Sequence, residues 1–154
     1  VRLWRICRAK YAGEPLSGRG GMLHSGRWHR EGIPVVYTSS TLSLAALEIL
    51  VHVDVDLVPE DLVSIEIDAP GTLKVKKLPE DDLPRGWFKI PPPAKLQKLG
   101  TEWLRGGTTA LLKVPSAVIR HEYNYLINPM HPGSSRIKVV AVEDFALDPR
   151  LARR

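Results

Sequence analysis

Residues 26–53 read GRWHREGIPVVYTSSTLSLAALEILVHV, and their reading decides the fold. The run PVVYTS (34–39) combines β-branched residues with an aromatic and is bounded by proline and serine, which predicts a strand. Strand alternation then sets Val35, Tyr37 and Ser39 on one face. A helix over 41–53 follows directly, with Ser40 or Thr41 as its N-cap. At 100° per residue, Thr41, Glu48 and His52 fall within about 40° of one another beside the small Ala45. Leucine, isoleucine and valine cover nearly all the rest, so the helix is expected to be interior. A buried carboxylate without a partner costs several kcal/mol. Glu48 must therefore be paired, with Arg27 or His52 as structural candidates, or protonated, or it must face a wet cleft where chemistry is done.

Outward from this stretch, residues 2–8 predict a first strand, and 13–26 (GEPLSGRGGMLHSG) a glycine-rich loop. LVSIEID (62–68) alternates, with Val63, Ile65 and Ile67 on one face, and 73–78 extends the same sheet. The proline-rich 79–93 reads as a surface excursion. In AKLQKLGTEWLRG (94–106), Leu96, Leu99 and Trp103 recur at helical spacing before Gly106 and Gly107. Three strand-like runs follow at 110–119, 124–128 and 137–145. Two helices among six or more strands give an α+β domain with a mixed, mainly antiparallel sheet. At 154 residues the chain is read as one domain over 1–154, with its core in about 1–145 and a short basic tail.

Composition narrows the function classes. The single cysteine, Cys7, excludes an internal disulfide framework and fits a reducing, cytoplasmic setting. No CxxC and no HxxxH occurs, so no metal is expected. No run reaches the ~18–20 apolar residues of a membrane span. The net charge of +5 and pI near 9.5 suit an anionic ligand. Lysines and arginines are scattered and aromatics make up only 6%, which argues against a basic RNA-binding module. There is no dinucleotide-binding glycine fingerprint and no P-loop. Ser116 lacks elbow glycines and a triad, so serine hydrolysis is disfavoured.

If Tyr37 faces the polar stripe of the helix, an aromatic plate, Glu48 and Arg27 converge in one cleft. Arg27 suits a pyrophosphate, Tyr37 a charged pyridinium ring, and Glu48 a ribose that develops positive charge. These are the needs of cleaving the nicotinamide–ribose bond of NAD+, which would then be a substrate rather than a bound cofactor.

The ordered motifs GRWHREGIPVVYTSSTLSLAALEILVH, KLGTEWL and VPSAVIRHEYNYLINPMHP resemble the RES domain family over about 1–145. The resemblance implies an ADP-ribosyltransferase-like fold and a bacterial toxin that consumes NAD+. It places Arg27, Tyr37 and Glu48 as catalytic candidates. Ser116 joins them from VPSAV as a ligand-orienting residue, and Ser39, Asn124 and Trp28 complete the substrate-binding set. Trp28 and Trp87 are also ordinary packing residues. Water or phosphate would accept the ADP-ribose; the alternative is transfer to a cellular protein. A cognate Xre-type antitoxin covering the active site in a hetero-oligomer is implied as partner, with DNA contacted only through it. The sequence departs from the family at His29, where an asparagine is common. That side chain either shapes the turn or lines the pocket.

Overall fold

The computed structural model describes residues 1–54 and 57–152. Its frame is a seven-stranded sheet built from β1 (Arg2–Arg8), β2 (Val36–Ser39), β3 (Leu62–Asp68), β4 (Val75–Lys77), β5 (Leu111–Pro115), β6 (Tyr123–Ile127) and β7 (Lys138–Asp144), in the order β4-β5-β6-β2-β1-β3-β7. Only β4 and β5 run parallel; the other five pairings are antiparallel. Three helices accompany it: α1 (Arg19–Leu23), α2 (Leu42–Leu50) and α3 (Ala94–Gly106).

Period-2 alternation divides the core between the two faces of the sheet. Leu3, Val36, Ile65, Ile67 and Ile127 pack on one face, completed by Leu16, Leu73 and Ile137 from the loops. Leu112, Val114 and Leu126 line the other face and meet Leu96, Trp103 and Leu104 of α3, with Trp28 and Trp87 in the same cluster. Tyr37 pairs with Leu126 and Ser39 with Asn124, which puts Tyr37, Ser39 and Asn124 on this second face.

Apart from the end of β5, the strands and α3 lie where the patterning predicts, and α2 starts at the Thr41 cap, whose side chain accepts the Leu44 N–H. Four expectations need correction. Regular helix ends at Leu50 rather than 53: Val51 is the C-cap, and the His52 amide shifts to the Ile49 carbonyl three residues back. The helix is also not interior: only Leu44 and Ala45 are buried, while Leu42, Leu47, Ile49 and Leu50 remain partly exposed, since α2 covers the sheet from one side only. The glycine-rich loop contains α1, because Gly21 packs where a Cβ would stand 2.6 Å from the Val35 side chain. β5 ends at Pro115 rather than 119, because the Val118 and Ile119 amides turn back onto the Ser116 hydroxyl. Within the 79–93 surface excursion Trp87 is buried at 5% exposure, the packing role expected of it. Among the described residues, no helix is long and apolar enough to cross a membrane.

Candidate functional site

Glu48 reaches from the last turn of α2 to the second face of the sheet, where its partners are neutral. Ser116 Oγ donates to Glu48 Oε1 at 2.9 Å and Asn124 Nδ2 donates to the same oxygen at 2.6 Å. Each donor is itself fixed. Ser116, buried at the end of β5, accepts the N–H groups of Val118 and Ile119 at 3.1 Å. Its hydroxyl thus makes one donated and two accepted bonds, which exhausts its capacity. Asn124 Oδ1 accepts the Ser39 hydroxyl at 2.8 Å, so its NH2 group must face Glu48. The chain Ser39–Asn124–Glu48–Ser116 locks one carboxylate oxygen and leaves Oε2 free of these bonds.

Among the described residues, neither Arg27 nor His52 forms an ion pair with Glu48 within 4 Å. His52 is exposed in the turn after α2. The purely structural pairings considered for Glu48 are therefore not made. Neutral donors hold the carboxylate in place without neutralising it, so its charge remains available to a ligand.

Arg27 sits in the tight loop closed by the Gly26–His29 bridge. Its Nη1 donates to the carbonyls of Trp87 and Lys89, both at 2.9 Å. That uses the two Nη1 hydrogens and leaves Nε and Nη2 for an anion. Burial lowers the guanidinium pKa from its ordinary value, opposed first by Glu48 and then by Tyr37. The three groups accordingly share one electrostatic neighbourhood. Tyr37 packs against the second core, and its hydroxyl lies 2.7 Å from His29 Nδ1 and accepts the Trp28 N–H at 3.3 Å. Burial raises the phenol pKa far above its usual 10, so Tyr37 stays neutral.

The loop that carries Arg27 is seated on α3. Gln97 Nε2 donates to the Gly26 carbonyl at 3.0 Å, and Thr101 Oγ1 accepts the Arg30 N–H at 3.1 Å. Between them Gly100 meets the loop so closely that a Cβ there would lie 1.6 Å from the Trp28 carbonyl oxygen.

The structure thus links Ser39, Asn124, Glu48 and Ser116 in one hydrogen-bonded chain and couples Arg27 electrostatically to Glu48 and Tyr37, but their parts differ. Ser116 has no donor left for a ligand and, like Ser39, is buried behind Glu48. Trp28 is 3% exposed and packs in the core, so it presents no surface to a substrate. The sequence reading did not find Gln97, Gly100 and Thr101, nor the carbonyls of Trp87 and Lys89. Gly100 alone left a signal, as a helix-weakening residue in the middle of a good helix. Two cavities lie elsewhere, about 360 Å3 between Leu16, Met130 and Ile137, and about 300 Å3 between Leu50, Pro59 and Phe145. Neither is lined by a lysine or arginine, so the chemistry rather than the size of a cavity marks the site. Among the described residues, no three His, Cys, Asp or Glu side chains gather as a metal site.

Fold and site together define an α+β domain whose sheet face carries an oriented carboxylate, with an arginine and a neutral tyrosine in its electrostatic neighbourhood. Comparison with known proteins makes this specific. The RES domain family model matches residues 2–148. A Pseudomonas putida protein named Toxin Res is 42% identical over 97% of this chain and 98% of its own. A Sphingobium protein named Prs ADP-ribosylating toxin is 35% identical over 98% of this chain and 96% of its own. The toxin–antitoxin complex of M. tuberculosis MbcT and MbcA contains a chain of similar fold, with TM-score 0.77 and 18% identity over 98% of this chain and 86% of that one. The chain belongs to the RES domain family and is a RES toxin.

Proposed function

We propose that the protein arrests its host cell by cleaving the nicotinamide–ribose bond of NAD+. The observation that carries this reading is the carboxylate of Glu48, held through one oxygen by neutral donors and coupled to Arg27, which is coupled in turn to Tyr37. Arg27, through Nε and Nη2, binds the pyrophosphate or the adjoining ribose. Tyr37 supports the pyridinium ring, and Glu48 Oε2 faces the nicotinamide ribose. As the glycosidic C–N bond breaks, its electron pair leaves with nicotinamide and positive charge develops on the sugar. A fixed anion stabilises that state more than the ground state, which is what acceleration requires. The pyridinium is already a good leaving group, so no acid is needed to expel it. Water or phosphate then attacks the anomeric carbon, water releasing its proton to solvent.

Ser116 and Asn124 act through Glu48, and Ser39 acts through Asn124. The partner is proposed to be an Xre-type antitoxin that covers this cleft. Phe88 and Ile90 give it apolar footing, being 47% and 81% exposed in the segment whose carbonyls hold Arg27.

The test is NAD+ consumption by the purified protein, with products resolved by mass, with and without phosphate, beside Glu48→Gln. Glutamine preserves the shape and one acceptor but removes the charge, so turnover should fall by roughly 100-fold or more while the fold persists. Equal turnover by the folded variant would refute the role of Glu48. One relative named as an ADP-ribosylating toxin supports a second reading, in which the acceptor is a protein side chain. That reading is favoured if NAD+ is stable until a cell extract is added and a protein then gains the mass of ADP-ribose.

A further inference from the structure

We propose that His29 is a positioning residue that holds Tyr37 and the Arg27 loop in one register, and that protonation of its ring releases this hold. The proposal rests on the reading of Tyr37 and Arg27 as ligand-binding groups. His29 is 2% exposed and spans two elements. Its Nε2 lies 3.1 Å from the Gly21 carbonyl of α1, and its Nδ1 lies 2.7 Å from the Tyr37 hydroxyl of β2. Its own carbonyl accepts the Gly26 N–H at 3.1 Å, closing the loop around Arg27.

These partners fix the tautomer. A carbonyl only accepts, so Nε2 carries the hydrogen; Nδ1 is then the acceptor and Tyr37 the donor. The Trp28 N–H takes the accepting side of the Tyr37 hydroxyl. Each hydrogen has one place, and the phenol ring is held at both its packed body and its tip.

A second proton on the ring has nowhere to go. It would occupy Nδ1, so the Tyr37 hydroxyl would face two N–H donors and lose the acceptor for its own hydrogen. β2 contributes the neutral Tyr37, while the carbonyls of Gly21 in α1 and of His24 at its C-cap favour the protonated ring but are outweighed by its burial. Gln97 of α3, which holds Gly26, is uncharged. No ion pair to His29 forms among the described residues. Burial accordingly lowers the imidazole pKa.

The decisive experiment compares the wild type with His29→Ala and His29→Asn. It measures NAD+ turnover between pH 5 and 8.5, growth arrest on expression, and the ring nitrogen NMR signals of His29 with and without Tyr37→Phe. An asparagine amide oxygen falls near the position of Nδ1 and accepts from Tyr37 without titrating. His29→Ala should lose about tenfold in kcat/KM at pH 7.5. His29→Asn should recover most of it, with the decline at low pH flattened. The NMR signals should show the Nε2–H tautomer, with the ring titrating differently once the Tyr37 hydroxyl is removed. If the wild type leaves NAD+ intact, the proposed reaction fails, and growth arrest decides the positioning role instead. Arrest lost in His29→Ala and regained in His29→Asn supports it. Equal activity or toxicity in all three proteins, or a titration indifferent to Tyr37→Phe, overturns it.

Discussion

Gly100→Ala tests whether the site depends on the seat of the Arg27 loop. The added Cβ would stand 1.6 Å from the Trp28 carbonyl oxygen, whereas real Cβ atoms essentially never approach a neighbour closer than 3.0 Å. Loop and helix must therefore separate by roughly 1.4 Å, and the obstacle is backbone, which cannot swing aside as a side chain does. Arg27 adjoins Trp28, so the shift reaches the guanidinium and its bonds to the Trp87 and Lys89 carbonyls. Overpacking of this kind costs about 1–3 kcal/mol or more. A misplacement of about 1 Å in a positioning group can cost on the order of 100-fold in turnover. Gly106→Ala is the matched control: it lies in the same helix, nothing stands within 4 Å of its new Cβ, and its φ is unexceptional. It should be stabilising by about 0.4–1 kcal/mol through the unfolded chain. Thermal melts and NAD+ turnover on both variants separate the effects. If Gly100→Ala melts and turns over like Gly106→Ala, the close packing of α3 on the loop is not what fixes Arg27.

Three further outcomes follow from the same geometry. Ser116→Ala removes one donor to Glu48 and strands the Val118 and Ile119 amides, so it should cost about 1–3 kcal/mol in stability and lower kcat more than it raises KM; unchanged kinetics would show that Glu48 does not need that bond. Arg27→Lys keeps the charge but cannot bridge two carbonyls and an anion in one plane, so KM for NAD+ should rise by roughly tenfold or more; an unaltered KM would remove the clamp. Stability should also depend on pH through His29. Its folded pKa is lowered by burial from an ordinary 6.5, so the unfolded chain binds the extra proton more readily in the window just below 6.5. The stabilisation is complete above that window and is lost as pH falls through it, so melting temperatures of wild type and His29→Asn should converge or cross on acidification. A constant difference between pH 5 and 7.5 would contradict buried, neutral histidine.

Much of this was legible in local pattern. Alternation in 62–68 gave β3 residue for residue, and the spacing of Leu96 and Trp103 with the terminal glycines gave α3 from Ala94 to Gly106. Glu48 stood out because a carboxylate in an apolar helix demands a reason. The burial of α2 was misjudged because apolar composition cannot distinguish a helix covered all round from one lying on a sheet. Trp87 takes the packing role expected of it, although proline spacing in 79–93 could not say which core it would join.

What the sequence determined by itself was the set of elements and the residue types able to do the chemistry, since both follow from short-range spacing and from the motifs of the RES family. Only the tertiary structure decided who holds whom. Glu48 meets Asn124 and Ser116 across 76 and 68 residues, and Arg27 meets Trp87 and Lys89 across 60 and 62. Such contacts are fixed by strand order and by the close approach of α3 at Gly100, which no local periodicity encodes. The same holds for His29: its place in the sequence marked a departure, but its two ring partners come from α1 and β2, and only their packing together turns a turn residue into a brace.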